Sequence, residues 1–240
     1  MAIRTLHRRS LAIIGVILAM VAVVALVTHR LSSSAADGPS VIVADADFLL
    51  PGDTLQDWVT YGDALAQVSV IDERRLPVSP GDKDRAYVPR GIRLHVDRVL
   101  WTRSSTVPSV PSVLRWSLDG WTTIQGNRQV LLRVDSEPLM EVGKTYLAVI
   151  THLPDRAGRA FHGWIPLNDA ALVPVAGGRL DVGDSVVSRS RDPHNYRQSL
   201  AGRPVSALVS DIQGASPDPK AAPYMRLPAD QRYLLTQRSR

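Results

Sequence analysis

Residues 91–101 read GIRLHVDRVLW. Ile92, Leu94 and Val96 alternate with Arg93, His95 and Asp97, the period of two that sets one face of a strand on a core and the other in water. After Asp97 the pattern slips, and Val99 and Trp101 continue the apolar series one position late. A one-residue slip predicts a β-bulge near Asp97-Arg98, where an extra residue bends the strand. Bent strands curl sheets toward barrels.

The flanking sequence follows the same logic. Upstream, Ala64, Ala66, Val68 and Val70 share one face of residues 64–71, and the β reading starts at Trp58. Residues 72–90 are polar and broken by Pro77, Pro80, Gly81 and Pro89, as expected of a long connection. Downstream, residues 104–111 form a Pro/Ser loop. Leu114, Trp116 and Leu118 share a face, and Asp119-Gly120 reads as a turn. Residues 121–124 and 130–134 flank Gly126-Asn127, which predicts a hairpin. Residues 145–151, TYLAVIT, are nearly all apolar, as in a strand buried on both faces. Gly177-Gly178 predicts a turn from residues 171–174 to residues 179–182. Val41-Ile42-Val43 suggests one more short strand.

Helical spacing in this part of the chain is confined to Val205, Leu208 and Ile212, with Gly214 as a stop. Residues 215–240 carry Pro217, Pro219, Pro223 and Pro228 and are expected to be mostly irregular.

Residues 11–27, LAIIGVILAMVAVVALV, hold no charge. As a helix they would span roughly 26 Å at 1.5 Å per residue, close to the hydrocarbon thickness. Arg4, Arg8 and Arg9 precede them without an acid, so the positive-inside rule leaves the N-terminus cytoplasmic and the rest extracytoplasmic. Ser34-Ala35-Ala36 offers a cleavage site after Ala36 as the rival, signal-peptide reading. The apolar run exceeds the usual signal length, which favours the anchor.

The expected organisation is a cytoplasmic basic tail (1–10), a transmembrane helix (11–28) and a linker and approach segment (29–57). An extracytoplasmic β-barrel domain (58–188) and a short helix with a basic, Pro-containing tail (189–240) complete it. The fold class is mainly β: an N-terminal transmembrane helix followed by a small OB-like β-barrel, one short C-terminal helix and an irregular tail.

Four of the 28 basic residues precede Asp37, and none of the 23 acidic ones do, so the remainder is nearly neutral. From residue 189 onward nine bases face four acids, which reads as a solvated basic extension. With this balance, nucleic acid is not an expected partner. There is no Cys, and therefore neither a disulfide framework nor a lipid-modified cysteine.

Several motifs together resemble a known group. They are residues 62–70, the R-V-L-W ending of residues 91–101, Trp116 through Gly120-Trp121, and the Val142-Gly143-Lys144-Thr145-Tyr146-Leu147 run. They are joined by Leu200-Ala201-Gly202-Arg203-Pro204-Val205 and by residues 216–221, SPDPKA. In this order they resemble a group of exported, membrane-anchored actinobacterial domains, over roughly residues 58–222. That group has no assigned activity and is similar to OB/netrin-type, metalloproteinase-inhibitor-like small barrels. The resemblance implies a fold and an address. The inhibitor branch chelates zinc through an N-terminal Cys, and this chain has none.

Catalytic spacings are few. His95, His152, His162 and His194 make no H-x-x-x-H or H-E-x-x-H pattern, and no G-x-S-x-G, G-x-G-x-x-G or P-loop pattern occurs. Asp45, Asp47, Asp53 and Asp57 lack EF-hand spacing and read as a solvated approach segment. No catalytic, metal or cofactor residue is therefore assigned. Of the five Trp residues, Trp101 and Trp116 lie on apolar faces. Trp121 and Trp164 follow glycines at strand starts and are the candidate ligand-facing aromatics.

The functional expectation is a membrane-anchored extracytoplasmic binding or scaffold domain of the cell envelope. Its expected partners are the lipid bilayer, through the N-terminal helix, and an envelope protein or glycan. The alternatives are a cell-wall-acting hydrolase and a secretion- or pilus-type assembly component.

Overall fold

The computed structural model describes residues 41–44, 50–77, 87–124, 128–134, 139–155, 162–182 and 196–238. The expected anchor, cleavage site and most of the linker lie outside the described residues. No helix among the described residues is long and apolar enough to cross a membrane.

The body is mainly β. Among the described residues, nine strands form one curled sheet: β1 (Val41–Ala44), β2 (Ala64–Arg75), β3 (Tyr87–Thr102), β4 (Val113–Ile124), β5 (Arg128–Val134), β6 (Thr145–Leu153), β7 (Gly163–Pro166), β8 (Leu172–Ala176) and β9 (Arg179–Leu180). The order is β1-β5-β4-β3-β2-β6-β8-β9, with β7 also on β6. All pairings are antiparallel except β1 with β5.

The expected bulge is present. Against β2, the register of β3 jumps from Gln67↔Arg98 to Val68↔Val96, leaving Asp97 as the extra residue. A second jump lies between Leu65↔Trp101 and Ala66↔Val99. These slips, together with alanine at positions 64 and 66 on the inner face, let β2 and β3 curl tightly.

The curl brings β4 toward β7, where Trp116 Nε1 donates to the Trp164 carbonyl at 2.9 Å. Inside lie Val68, Val70, Ile92, Leu94, Leu114 and Trp116, with Tyr146, Ala148 and Ile150 from β6. The other face of β6 presents Leu147 and Val149 to a second core of helical side chains. The two-sided burial read from TYLAVIT is therefore observed, and it exists because helices cover the outside of the curl.

Those helices are α1 (Leu55–Tyr61), α2 (Val205–Gly214) and α3 (Ala229–Arg238), with a 3₁₀ segment at Pro219–Tyr224. The helix read at Val205–Ile212 is found. Three other expectations are corrected.

First, Trp58 does not open the β region but sits in α1. Asp57 N donates to Thr54 Oγ1 at 3.0 Å and Thr54 N donates to Asp57 Oδ2 at 3.1 Å, a capping box that starts the helix. Asp57 is thus a cap and not a solvated approach residue. Second, residues 215–240 are not mostly irregular. The 3₁₀ segment and α3 pack on the body, burying Ala221, Ala229, Arg232 and Thr236. Pro219 and Pro228 sit at helix starts, which they favour, while Pro223 lies inside the 3₁₀ segment. Third, Asp119-Gly120 is no turn. β4 runs through it as one strand, with a register shift between Val88 and Arg90 on β3. A Cβ on Gly120 would collide with the Val88 carbonyl, so this close strand approach requires glycine.

The expected hairpin is seen as β4–β5, with Trp121 opposite Leu131. Gly177 and Gly178, at φ 57° and 76°, make the expected β8–β9 turn, in which both central residues need positive φ.

Two tyrosine hydroxyls make part-buried hydrogen bonds within the body. Tyr146 donates to the Leu139 carbonyl at 2.8 Å, and Tyr196 donates to Asp211 Oδ2 at 2.5 Å. Burial, foremost, holds both phenols above the ordinary tyrosine range, and for Tyr196 the Asp211 carboxylate adds to it. Unfolded tyrosine titrates near 10. Their contribution is therefore complete below about pH 10 and is lost as pH rises toward the raised folded values. Urea unfolding of the full-length chain in detergent is expected to show stability falling above about pH 10. Tyr196→Phe should make that fall shallower. An identical alkaline slope in the variant contradicts this account.

Candidate functional site

β2 slips once more near its end. Val70 pairs with Leu94, but Asp72 pairs with Arg93, so Ile71 is extra and stands exposed. The slip reverses the phase of the strand. Glu73 turns inward with Ile92 and Arg90, while Asp72 and Arg74 turn onto the outer face. Without it, Asp72 and Arg74 would point into the apolar curl.

On that outer face the register lays out two rows across three strands. One is Asp72, Arg93 and Arg115; the other is Arg74, Gly91 and Ser117. Together with Leu76 they line a groove of about 290 Å³. Gly91 supplies a floor with no side chain. A Cβ there would come 2.7 Å from Leu76 Cδ2. The volume is at the small end for ligand sites.

The groove is electropositive. It holds three arginines and one aspartate. Arg93 and Arg115 are directly opposite each other, a like-charge pairing that costs stability in a sheet. The one ion pair among the groove's residues, Arg93 to Asp72, is 3.8 Å long with both side chains about half exposed (45 and 49 %). Arg74 and Arg115 make no hydrogen bond or ion pair to a described residue. The groove therefore offers guanidinium donors suited to oxyanions.

A second charged cluster is internal. Asp63, 3 % exposed, links α1 to β2. Its Oδ1 accepts from Arg103 Nε at 2.9 Å and from an Arg232 terminal nitrogen at 3.0 Å. Its Oδ2 accepts from Thr151 Oγ1 and the His152 amide, both at 2.9 Å. Arg232 also donates to the Tyr61 carbonyl at 2.8 Å, and Arg103 donates to the Met225 carbonyl. Desolvation lowers the Arg232 pKa below the ordinary arginine value, opposed chiefly by the Asp63 charge. The carboxylate is shared between Arg232 of α3, Arg103 after β3, and Thr151 and the His152 amide of β6, so the cluster is a structural joint between α3 and the sheet.

A third buried charge, Arg90, donates to the Met140 carbonyl. Its Nε lies 3.1 Å from Glu73 Oε2, a charge contact without hydrogen-bond alignment. Glu73 reaches it only because of the Ile71 slip.

No family model, curated protein or solved structure matches the chain.

The two aromatics singled out in the sequence do not converge. Trp164 is 8 % exposed. Its ring packs on the inner core and edge-on against His152 at 5.4 Å, because β7 pairs along β6 with that face inward. Trp121 is partly exposed, with the Arg75 guanidinium 4.8 Å over its ring. It lies five residues along β4 from Trp116, roughly 15 Å away at strand rise.

His95 is exposed on β3. No group of three or more His, Cys, Asp or Glu stands at metal-holding distance among the described residues. Arg74, Arg93 and Arg115 were not singled out from the sequence. Each looks like an ordinary polar-face residue of its own strand, and only the register places them side by side.

Proposed function

We propose that the chain is a membrane-anchored, extracytoplasmic binding domain of the cell envelope, displayed on a small, partly open OB-like barrel. The apolar run at residues 11–27 with its basic flank supports the anchor and its orientation. Strands β4-β3-β2-β6-β7, curled about one apolar interior, support the barrel reading.

The observation that carries a binding role is the groove on the outer face. There the protein keeps Arg93 opposite Arg115, with Asp72 the single acid against three arginines. A purely structural sheet gains nothing from that arrangement. The partner is an envelope component, protein or glycan, presented at the membrane surface.

The test is affinity purification of the tagged full-length chain from membranes, compared with a version cut after residue 40. The full chain is expected in the carbonate-resistant membrane fraction, carrying envelope components that the truncated version lacks. Identical co-purifying material from both would refute a binding role for the body. Full-length protein recovered free of membranes would refute the anchor.

A further inference from the structure

We infer that the outer groove is a site for a tetrahedral oxyanion dianion of the phosphate class, held between Arg74, Arg93 and Arg115. This rests on the binding-domain reading above and names the ligand chemistry of the same groove.

Charge sets the class. Three guanidiniums against the single carboxylate of Asp72 leave two positive charges in excess, which a dianion neutralises.

Geometry points the same way. Arg93 and Arg115 sit in directly paired register and Arg74 lies one row away, so three planar forks rise from adjacent strands. Such forks match the oxygens of a tetrahedral anion two at a time. Leu76 lies over Gly91, and Ser117 adds a hydroxyl in the same row.

Energetics adds a third reason. Like charges directly across a sheet destabilise it, and an anion bound between them turns that repulsion into attraction. Asp72 is the internal competitor. Its 3.8 Å contact to Arg93 is too long for a hydrogen bond and is readily displaced.

The experiment is thermal unfolding of the full-length chain in neutral detergent at constant ionic strength. In one arm inorganic phosphate is titrated against chloride. In the other, micelles doped with phosphatidic acid are compared with micelles doped with phosphatidylcholine. Ligand that binds only the folded state raises Tm by an amount that keeps growing with the logarithm of its concentration above Kd.

The expected result is such a rise in at least one arm. Arg93→Gln and Arg115→Gln should each weaken it about tenfold, the scale of one charge-assisted hydrogen bond. Asp72→Asn should strengthen it. Arg98→Gln is the charge control. It lies on the same strand but hydrogen-bonds Gln67, at 2.9 and 3.0 Å, outside the groove, so it should leave the rise within about twofold.

A rise with free phosphate identifies a soluble phosphate. A rise confined to phosphatidic acid identifies a lipid headgroup. Either one, weakened about tenfold by Arg115→Gln, supports the groove.

No rise in either arm overturns the inference. So does an effect of Arg98→Gln equal to that of Arg115→Gln, or a weaker rise in Asp72→Asn. If the rise is absent while truncation still strips the co-purifying partners, the oxyanion chemistry fails and the binding-domain reading stands.

Discussion

Asp63→Ala is expected to lower the unfolding free energy of the full-length chain by about 3–5 kcal/mol, the usual cost of stranding a buried charge. The carboxylate is the common acceptor for Arg103, Arg232, Thr151 and the His152 amide. Its removal leaves two guanidiniums, with side chains 12 % and 0 % exposed, facing each other without a counter-ion. The loss should appear first in the C-terminal helices, as faster amide exchange in α2 and α3 before the strands open.

Arg232→Met provides the contrast. It keeps the Arg103–Asp63 pair and fills the site with an apolar chain of similar length. It forfeits the bond to the Tyr61 carbonyl, a cost of about 1–3 kcal/mol for a buried acceptor left unmet. Equilibrium urea denaturation of both variants decides the matter. A loss below about 1 kcal/mol for Asp63→Ala would mean that water reaches the cluster and that the joint is not sealed.

Trp116→Ala is the other large expectation, at about 3–5 kcal/mol for a large aromatic removed from a core. Trp116 is 4 % exposed. It fills the inner face and also bridges β4 to β7 through the Trp164 carbonyl. Trp116→Phe separates the two contributions. It keeps most of the packing and should cost only about 1 kcal/mol from the lost hydrogen bond, beyond its smaller volume. Hydrogen exchange at the β7 amides is the local readout. Opening of β7 in the Phe variant supports the bridge, and unchanged exchange there would show that β7 is held by β6 alone.

Much of the sheet was legible because strand alternation is a local signal. Ala64 to Val70, Ile92 to Val96 and Leu114 to Leu118 each announce an inner face, and the phase slip after Asp97 announces a bulge. The apolar run in β6 announced two-sided burial without saying what covers the second side. The slip at Ile71 was overlooked because the apolar series simply ends there, and a polar stretch hides a change of phase.

The helices were harder. α1 is seven residues long, too short for periodicity to register, although Thr54 and Asp57 stand at capping-box spacing. α3 inverts the usual pattern. Arg232 is 0 % exposed and Leu234 is 55 % exposed. A reading that places apolar residues inside finds no helix there, because the buried partner is a carboxylate 169 residues away.

By itself the sequence determined the mainly β character, the principal strands, the two-faced burial of β6 and the helix at Val205. These follow from side-chain spacing within a few residues, which the backbone geometry converts directly into faces. Only the tertiary structure decided which charges meet. Arg93 lies opposite Arg115, Glu73 lies against Arg90, and Asp63 receives Arg103 and Arg232 because strand register and helix docking bring them together. No local pattern encodes those pairings, since a slip of one residue in β2 exchanges the inner and outer sets of charges.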